Sequence, residues 1–205
     1  MCGLMGFMGS ADLELVNALI LKARRRGPDS FGIAWMTSAG DRGIERRPTP
    51  SWPAPFRVTL PRNLIWGVGH ARLTTSGCGI ANAQPLRIGD MVFAHNGTVY
   101  HHEELARAHG FNLETGNDSE VLGRLFIQLD YDAAATMDCL AAYQKKLTPH
   151  SFIAALPGRM WVVAWGQPLH IIELAGVRYV SSWPFPASHQ LSAGNVLSWV
   201  NAIVQ

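Results

Sequence analysis

The sequence predicts a mixed α+β domain built on antiparallel sheets, and two observations carry that expectation. Apolar residues at helical spacing fill residues 11–25 and 119–129, each flanked by short strand-like runs. From Phe152 onward, strand-length apolar runs alternate with the turns Pro157-Gly158, Gly166-Gln167-Pro168 and Ala175-Gly176. At 205 residues the chain has the length of one domain with a substantial core, taken here as residues 1–205.

Taken in order, residues 2–9 read as a strand that carries Cys2 into the interior. Leu13, Leu15, Val16, Leu19, Ile20 and Leu21 then mark a helix with Ser10 as its N-cap, ended by Gly27-Pro28-Asp29. Residues 31–36 form a second strand, and Ser38-Ala39-Gly40-Asp41 turns the chain. Residues 47–62 are rich in proline and read as an irregular surface excursion. Strands resume at residues 64–70 and 91–95, followed by a short helix at 103–109. Val121, Leu122, Leu125, Phe126 and Leu129 share one helical face behind the cap Asn117-Asp118-Ser119. A further helix is expected at 138–147, stopped by Thr148-Pro149. Strands follow at 151–156, 160–165, 169–174 and 177–182, with another near Gln190-Leu191; residues 196–204 fit strand or helix.

Apolar residues make up 48% and charged residues 16%, a globular balance, and a net charge of +2 implies neither a nucleic-acid nor an acidic-membrane partner. Arg24-Arg25-Arg26 and Arg46-Arg47 read as local solvated patches. No apolar run approaches the ~20 residues of a membrane-spanning helix. The three cysteines, Cys2, Cys78 and Cys139, are odd in number and lack CxxC spacing. That excludes a disulfide framework and a zinc site, so the thiols are expected reduced and the protein cytoplasmic.

Cys2 is the first candidate for chemistry. Removal of Met1 would leave one residue with both a thiol and a free α-amine. A thiol titrates near ~8.5 and the amine at roughly 7.7–8.0, so the amine can take the thiol proton near neutral pH. Nucleophile and base then belong to one residue. Gly3 and Gly6 allow close approach, and only Met1 precedes Cys2, so no leader is expected.

Four polar clusters lie beside expected strand ends. Arg26-Gly27-Pro28-Asp29-Ser30 fits a helix-terminating turn or a site border. In Gly69-His70-Ala71-Arg72-Leu73-Thr74-Thr75, Arg72 is suited to binding both oxygens of a carboxylate, or lies on the surface. His95-Asn96-Gly97-Thr98 is either a tight hairpin turn or an oxyanion hole made of the Asn96 amide and the Gly97 N–H. Asp118, in Asn117-Asp118-Ser119-Glu120, either caps a helix or pairs with a substrate ammonium.

Together these segments resemble the glutaminase domain of class II glutamine amidotransferases, within the N-terminal nucleophile hydrolase superfamily. The matching pieces run in order over roughly residues 2–125: Cys2-Gly3, Arg26-Gly27-Pro28-Asp29-Ser30 with Gly32, Gly69-His70-Ala71-Arg72, Asn82-Ala83-Gln84-Pro85, His95-Asn96-Gly97 and Asp118-Ser119-Glu120. The resemblance implies a four-layer αββα sandwich of two antiparallel sheets. It implies that Cys2 attacks the side-chain amide of L-glutamine and that Asn96 and Gly97 hold the oxyanion. Arg72 would bind the α-carboxylate and Asp118 the α-ammonium, with Thr75 near the substrate and Arg26 positioning the border loop.

Leu73 and Ser76 stand where glucosamine-type members carry tryptophan and histidine, so pocket closure is expected to differ. Cys78 reads as structural, His70 and His95 as packing residues, and the adjacent His101-His102 diverge too far to bind metal. No cofactor is expected. Family members usually continue into a synthase domain, and none is evident before Gln205. A separate ammonia-accepting synthase is the expected partner, with Trp52-Pro53 and Trp183-Pro184-Phe185-Pro186 as docking candidates. Two alternatives stay open: an amidase of the same fold acting on another γ-glutamyl or acyl amide, and a catalytically silent glutamine-binding module.

Overall fold

The computed structural model describes residues 2–49, 56–73, 79–144 and 148–200. Its strands are β1 (Gly3–Met8), β2 (Ser30–Thr37), β3 (Arg42–Pro48), β4 (Leu64–Arg72), β5 (Leu86–Ile88), β6 (Met91–Asn96) and β7 (His150–Leu156). They continue with β8 (Arg159–Trp165), β9 (His170–Leu174), β10 (Val177–Ser181), β11 (His189–Gln190) and β12 (Asn195–Val200). The helices are α1 (Leu13–Arg24), α2 (His102–Ala108), α3 (Ser119–Gln128) and α4 (Ala133–Gln144).

The strands form a seven-stranded sheet, β11-β9-β10-β1-β4-β2-β3, and a five-stranded sheet, β12-β8-β7-β6-β5. Their pairings are antiparallel, as with β1 on β4 and β6 on β7. Three apolar clusters separate four layers. Leu4, Met8, Val68, Ala94, Ile153 and Val162 fill the space between the sheets. Met5, Phe7, Ile33 and Tyr179 meet Val16, Leu19 and Ile20 of α1 on one outer face. Phe93, Phe152 and Trp161 meet Leu122, Leu125, Phe126 and Met137 of α3 and α4 on the other. The αββα arrangement expected from the resemblance is therefore the observed one.

β1 shows how period-2 alternation builds these layers. Leu4 and Met8 face the second sheet, while Met5 and Phe7 face α1. Its first residue is held to glycine by contact, since a Cβ on Gly3 would lie 2.1 Å from the Ala23 carbonyl oxygen at the end of α1. The cap of α1 is Asp12 rather than Ser10. Its Oδ1 accepts from the N–H groups of Glu14 and Leu15 at 2.7 and 3.4 Å.

Local differences from the sequence reading have physical causes. β3 covers a stretch to which the sequence reading gave no element, and only its last two residues, Arg47 and Pro48, enter the supposed surface excursion; Glu45, Arg46 and Arg47 make it a charged sheet edge without an apolar face. α4 begins at Ala133, before the expected 138, because Asp132 Oδ1 accepts from Ala135 N–H at 2.9 Å; the opening alanines carry no periodic signal. Residues 195–200 are strand, paired with β8 from Asn195–Ala164 to Val200–Arg159.

Candidate active site

The residues singled out in the sequence converge at one end of the sandwich. Pairing of Gly3 with Ala71 sets Cys2 beside the end of β4, where Arg72 stands opposite Ser30 of β2. Asn96 is the last residue of β6, opposite Ser151 of β7. The chain leaves Asn96-Gly97 toward α2 and makes no hairpin, so the tight-turn reading of this Asn-Gly pair does not hold. Cys2, Asn96 and Gly97 line one cleft of about 260 Å³.

Cys2 Sγ lies 3.6 Å from the carbonyl oxygen of Leu73. Burial raises its pKa above the usual thiol value, and Asp118 pushes the same way while Arg72 opposes it. The resting sulfur is thus a thiol that needs a base. In the same cleft, Asn96 is 4% exposed, and its Nδ2 has no hydrogen-bond partner among the described residues. A buried donor in that state demands an explanation, and a ligand oxygen in the cleft supplies one. Gly97 is confined from behind: a Cβ there would fall 2.5 Å from both His150 Nδ1 and His95 Nε2.

Arg72 and Asp118 are both buried, and both act electrostatically on Cys2. At α3 the cap is divided unexpectedly. Asn117 Oδ1 accepts from Ser119 N–H at 2.9 Å, while the Asp118 carboxylate accepts from Val99 N–H at 2.7 Å. Asp118 makes no side-chain capping bond to its own helix. Arg26 donates from Nη1 to the Ser182 carbonyl at 2.6 Å, tying the α1–β2 turn to the end of β10. Burial lowers the Arg26 pKa, and Cys2, when ionised, opposes that fall. Gly27 in this turn abuts β4, where a Cβ would lie 2.1 Å from the Ala71 carbonyl oxygen.

His70 and His95 are wholly buried, as their reading as packing residues requires. Burial, then Arg72, lowers His70 to about 3, against the Nε2 contact with the His95 carbonyl. Burial and neighbouring histidines likewise lower His95 and His150 to about 3. All three are therefore neutral near pH 7. The sequence reading missed His150, whose one visible signal is a histidine opening the apolar run Phe152 to Leu156.

Thr75, Cys78 and Trp52-Pro53 lie outside the described residues. In the second docking candidate, Trp183 is 39% exposed but Phe185 is 7% exposed and packs into the cluster over α1. Among the described residues no group of three or more metal-ligating side chains occurs.

No protein-family model matches the chain. It is 30% identical over 197 residues to the glutamine–fructose-6-phosphate aminotransferase (isomerizing) of Xylella fastidiosa, covering 89% of this chain and 31% of that one. Among solved structures it is similar to the glutamine phosphoribosylpyrophosphate amidotransferase from B. subtilis, with a TM-score of 0.63 and 19% identity over 88% of this chain and 42% of that one. The chain is similar over most of its length to glutamine amidotransferases and shares the fold of their class II domains. A glutamine aminotransferase class-II domain protein from Silicibacter pomeroyi matches nearly end to end, covering 96% of this chain and 94% of that one, with a TM-score of 0.62 and 16% identity. The chain spans about a third (31%) of the length of the Xylella aminotransferase.

Proposed function

We propose that this chain hydrolyses L-glutamine to glutamate and ammonia through a thioester on Cys2, and that its ammonia passes to a separate synthase. The observation that carries the reading is the buried Asn96 amide donor, without a partner among the described residues, in the cleft that holds the Cys2 thiol.

Removal of Met1 frees the Cys2 amine, which takes the thiol proton. The thiolate then attacks the carboxamide carbon of glutamine, and the carbonyl oxygen becomes an oxyanion. Asn96 Nδ2 and the Gly97 N–H donate to that oxyanion; one such donor contributes about 10²–10³-fold to kcat. The C–N bond breaks as the ammonium hands its proton to the leaving nitrogen, releasing ammonia. Water adds to the thioester, assisted by the same amine, and glutamate leaves with the thiol restored.

Arg72 would grip the α-carboxylate and Asp118 the α-ammonium, selecting the free amino acid over a glutamine within a peptide. Thr75 is assigned to the same pocket. Arg26, anchored on Ser182, would hold the border loop in place. We place the reaction in the cytoplasm because Cys2 and Cys139 are free thiols. No helix among the described residues is long and apolar enough to cross a membrane.

One observation favours a second reading. The Cys2 cleft continues past Gly97 to Tyr100, Pro149 and Gln167, room in which an amide substituent would fit. Glutamate release from glutamine and from γ-glutamyl alkylamides decides between them. Preference for glutamine supports a glutaminase, and preference for the alkylamides replaces it with an amidase of the same fold.

A further inference from the structure

A buried chain of hydrogen bonds runs from the core to the wall of the Cys2 cleft. His95 backbone N–H donates to Gln84 Oε1 at 2.6 Å, so the other end of that amide is its NH₂ group. Gln84 Nε2 lies 3.0 Å from Ser119 Oγ, and Ser119 Oγ lies 2.9 Å from His95 Nδ1. His95 Nε2 lies 2.9 Å from His150 Nδ1, and His150 Nε2 lies 3.2 Å from Thr148 Oγ1. Gln84, His95, Ser119 and His150 are all buried.

Donor and acceptor counting sets the direction of this chain. Ser119 Oγ must accept from the Gln84 NH₂. If His95 Nδ1 also donated to it, the buried Ser119 proton would have no acceptor among the described residues, and a buried donor left unmade is costly. Ser119 therefore donates to His95 Nδ1, and His95 carries its proton on Nε2. That proton goes to His150 Nδ1, so His150 also carries its proton on Nε2 and donates it to Thr148 Oγ1. The Thr148 hydroxyl proton is left to point outward. Thr148 lines the same cleft as Cys2, Asn96 and Gly97.

We infer that the Thr148 hydroxyl is a third donor to the oxygen of the reacting amide, beside Asn96 and Gly97, and that His150 is the positioning residue that aims it. The inference deepens the proposed glutaminase reading and rests on it. Thr148 lines the cleft that holds the Cys2 thiol, so a donor there faces the amide end of the substrate. The chain ends inward on the Gln84 amide, which cannot pass a proton on, so it orients a donor and does not export protons. Both rings also press on Gly97, so one pair of side chains sets two of the three donors.

Thr148→Val keeps the shape and removes the hydroxyl, whereas Thr148→Ser keeps the hydroxyl. Glutamine kinetics, melting curves and ¹⁵N NMR of the histidine rings read the three proteins. The Val variant should lose about 10²-fold in kcat with little change in KM, melting somewhat lower because the buried His150 Nε2–H loses its acceptor, and the Ser variant should stay near wild type in both. A Val variant with wild-type kcat, or a Ser variant as impaired as Val, overturns the role of Thr148. A proton on Nδ1 of His95 or His150 overturns the direction of the chain, whatever the activity. A wild type that releases no glutamate overturns the glutaminase reading itself, and with it the place of Thr148 in that reaction.

Discussion

Asn117 and Asp118 divide the start of α3 between them. The Asn117 side chain caps the helix through Ser119 N–H at 2.9 Å, and the Asp118 carboxylate turns instead to Val99 N–H at 2.7 Å. The residue named N-cap by position is not the residue that caps. Substitutions at the two sites should therefore separate stability from substrate binding.

Asn117→Ala should cost about 1 kcal/mol of stability, read as a melting temperature roughly 2–4 °C lower, with KM for glutamine nearly unchanged. Asp118→Asn should do the reverse, raising KM at least about 10-fold through loss of an ion pair to the substrate ammonium, while melting stays close to wild type. Equal effects of both variants on KM would contradict the division.

Asn96→Ala should lower kcat by about 10²–10³-fold with KM little changed, because the amide acts on charge that appears only in the transition state. Its Nδ2 has no partner to lose among the described residues, so the melting temperature should not fall by an amount that accounts for the loss. Steady-state glutamine kinetics alongside a melting curve check this.

The buried histidines make a pH prediction with a definite sign. His70, His95 and His150 sit at about 3 in the folded protein, below the ordinary 6.5, so the unfolded chain binds more protons between these values. Stability from their neutral burial is complete above about pH 6.5 and is lost as pH falls toward 3, at up to about 1.4 kcal/mol per pH unit for each ring. Urea unfolding at pH 7 and pH 5 should give a clearly smaller unfolding free energy at pH 5; equal values would refute the neutral burial of the three rings.

Phe126 packs edge-on against Phe152 and Trp161, with ring centroids 5.1 and 5.6 Å away. Phe126→Ala should cost roughly 3–5 kcal/mol in denaturant unfolding. Because α3 carries Asp118 and Ser119 at its start, any folded fraction should also show a raised KM.

Much of the site was legible because Cys2, Arg72, Asn96 and Asp118 each sit at an element end, where a short polar segment interrupts an apolar run. The αββα layering came from a family resemblance, and the three apolar clusters bear it out. What escaped the sequence depends on packing. Gln84, Ser119, His95 and His150 meet across 35, 24 and 55 positions of chain, and no local pattern marks them as partners. Edge strand β3 escaped for a different reason: solvent on its outer side lets it carry charge where buried strands carry apolar residues. Of the two readings of Asn96-Gly97, the hairpin turn falls because the chain runs from β6 to α2, with Gly97 held against two histidine rings.

The central claim is that Cys2 forms a thioester with glutamine once Met1 is removed. Intact mass of acid-quenched wild type and Cys2→Ala, after brief mixing with glutamine, tests it most directly. The account predicts a wild-type chain that lacks Met1 and gains one glutamyl group, with added hydroxylamine discharging the adduct as γ-glutamyl hydroxamate and Cys2→Ala gaining nothing. Glutamate release by a Cys2→Ala protein, or by a wild type that still carries Met1, would contradict it.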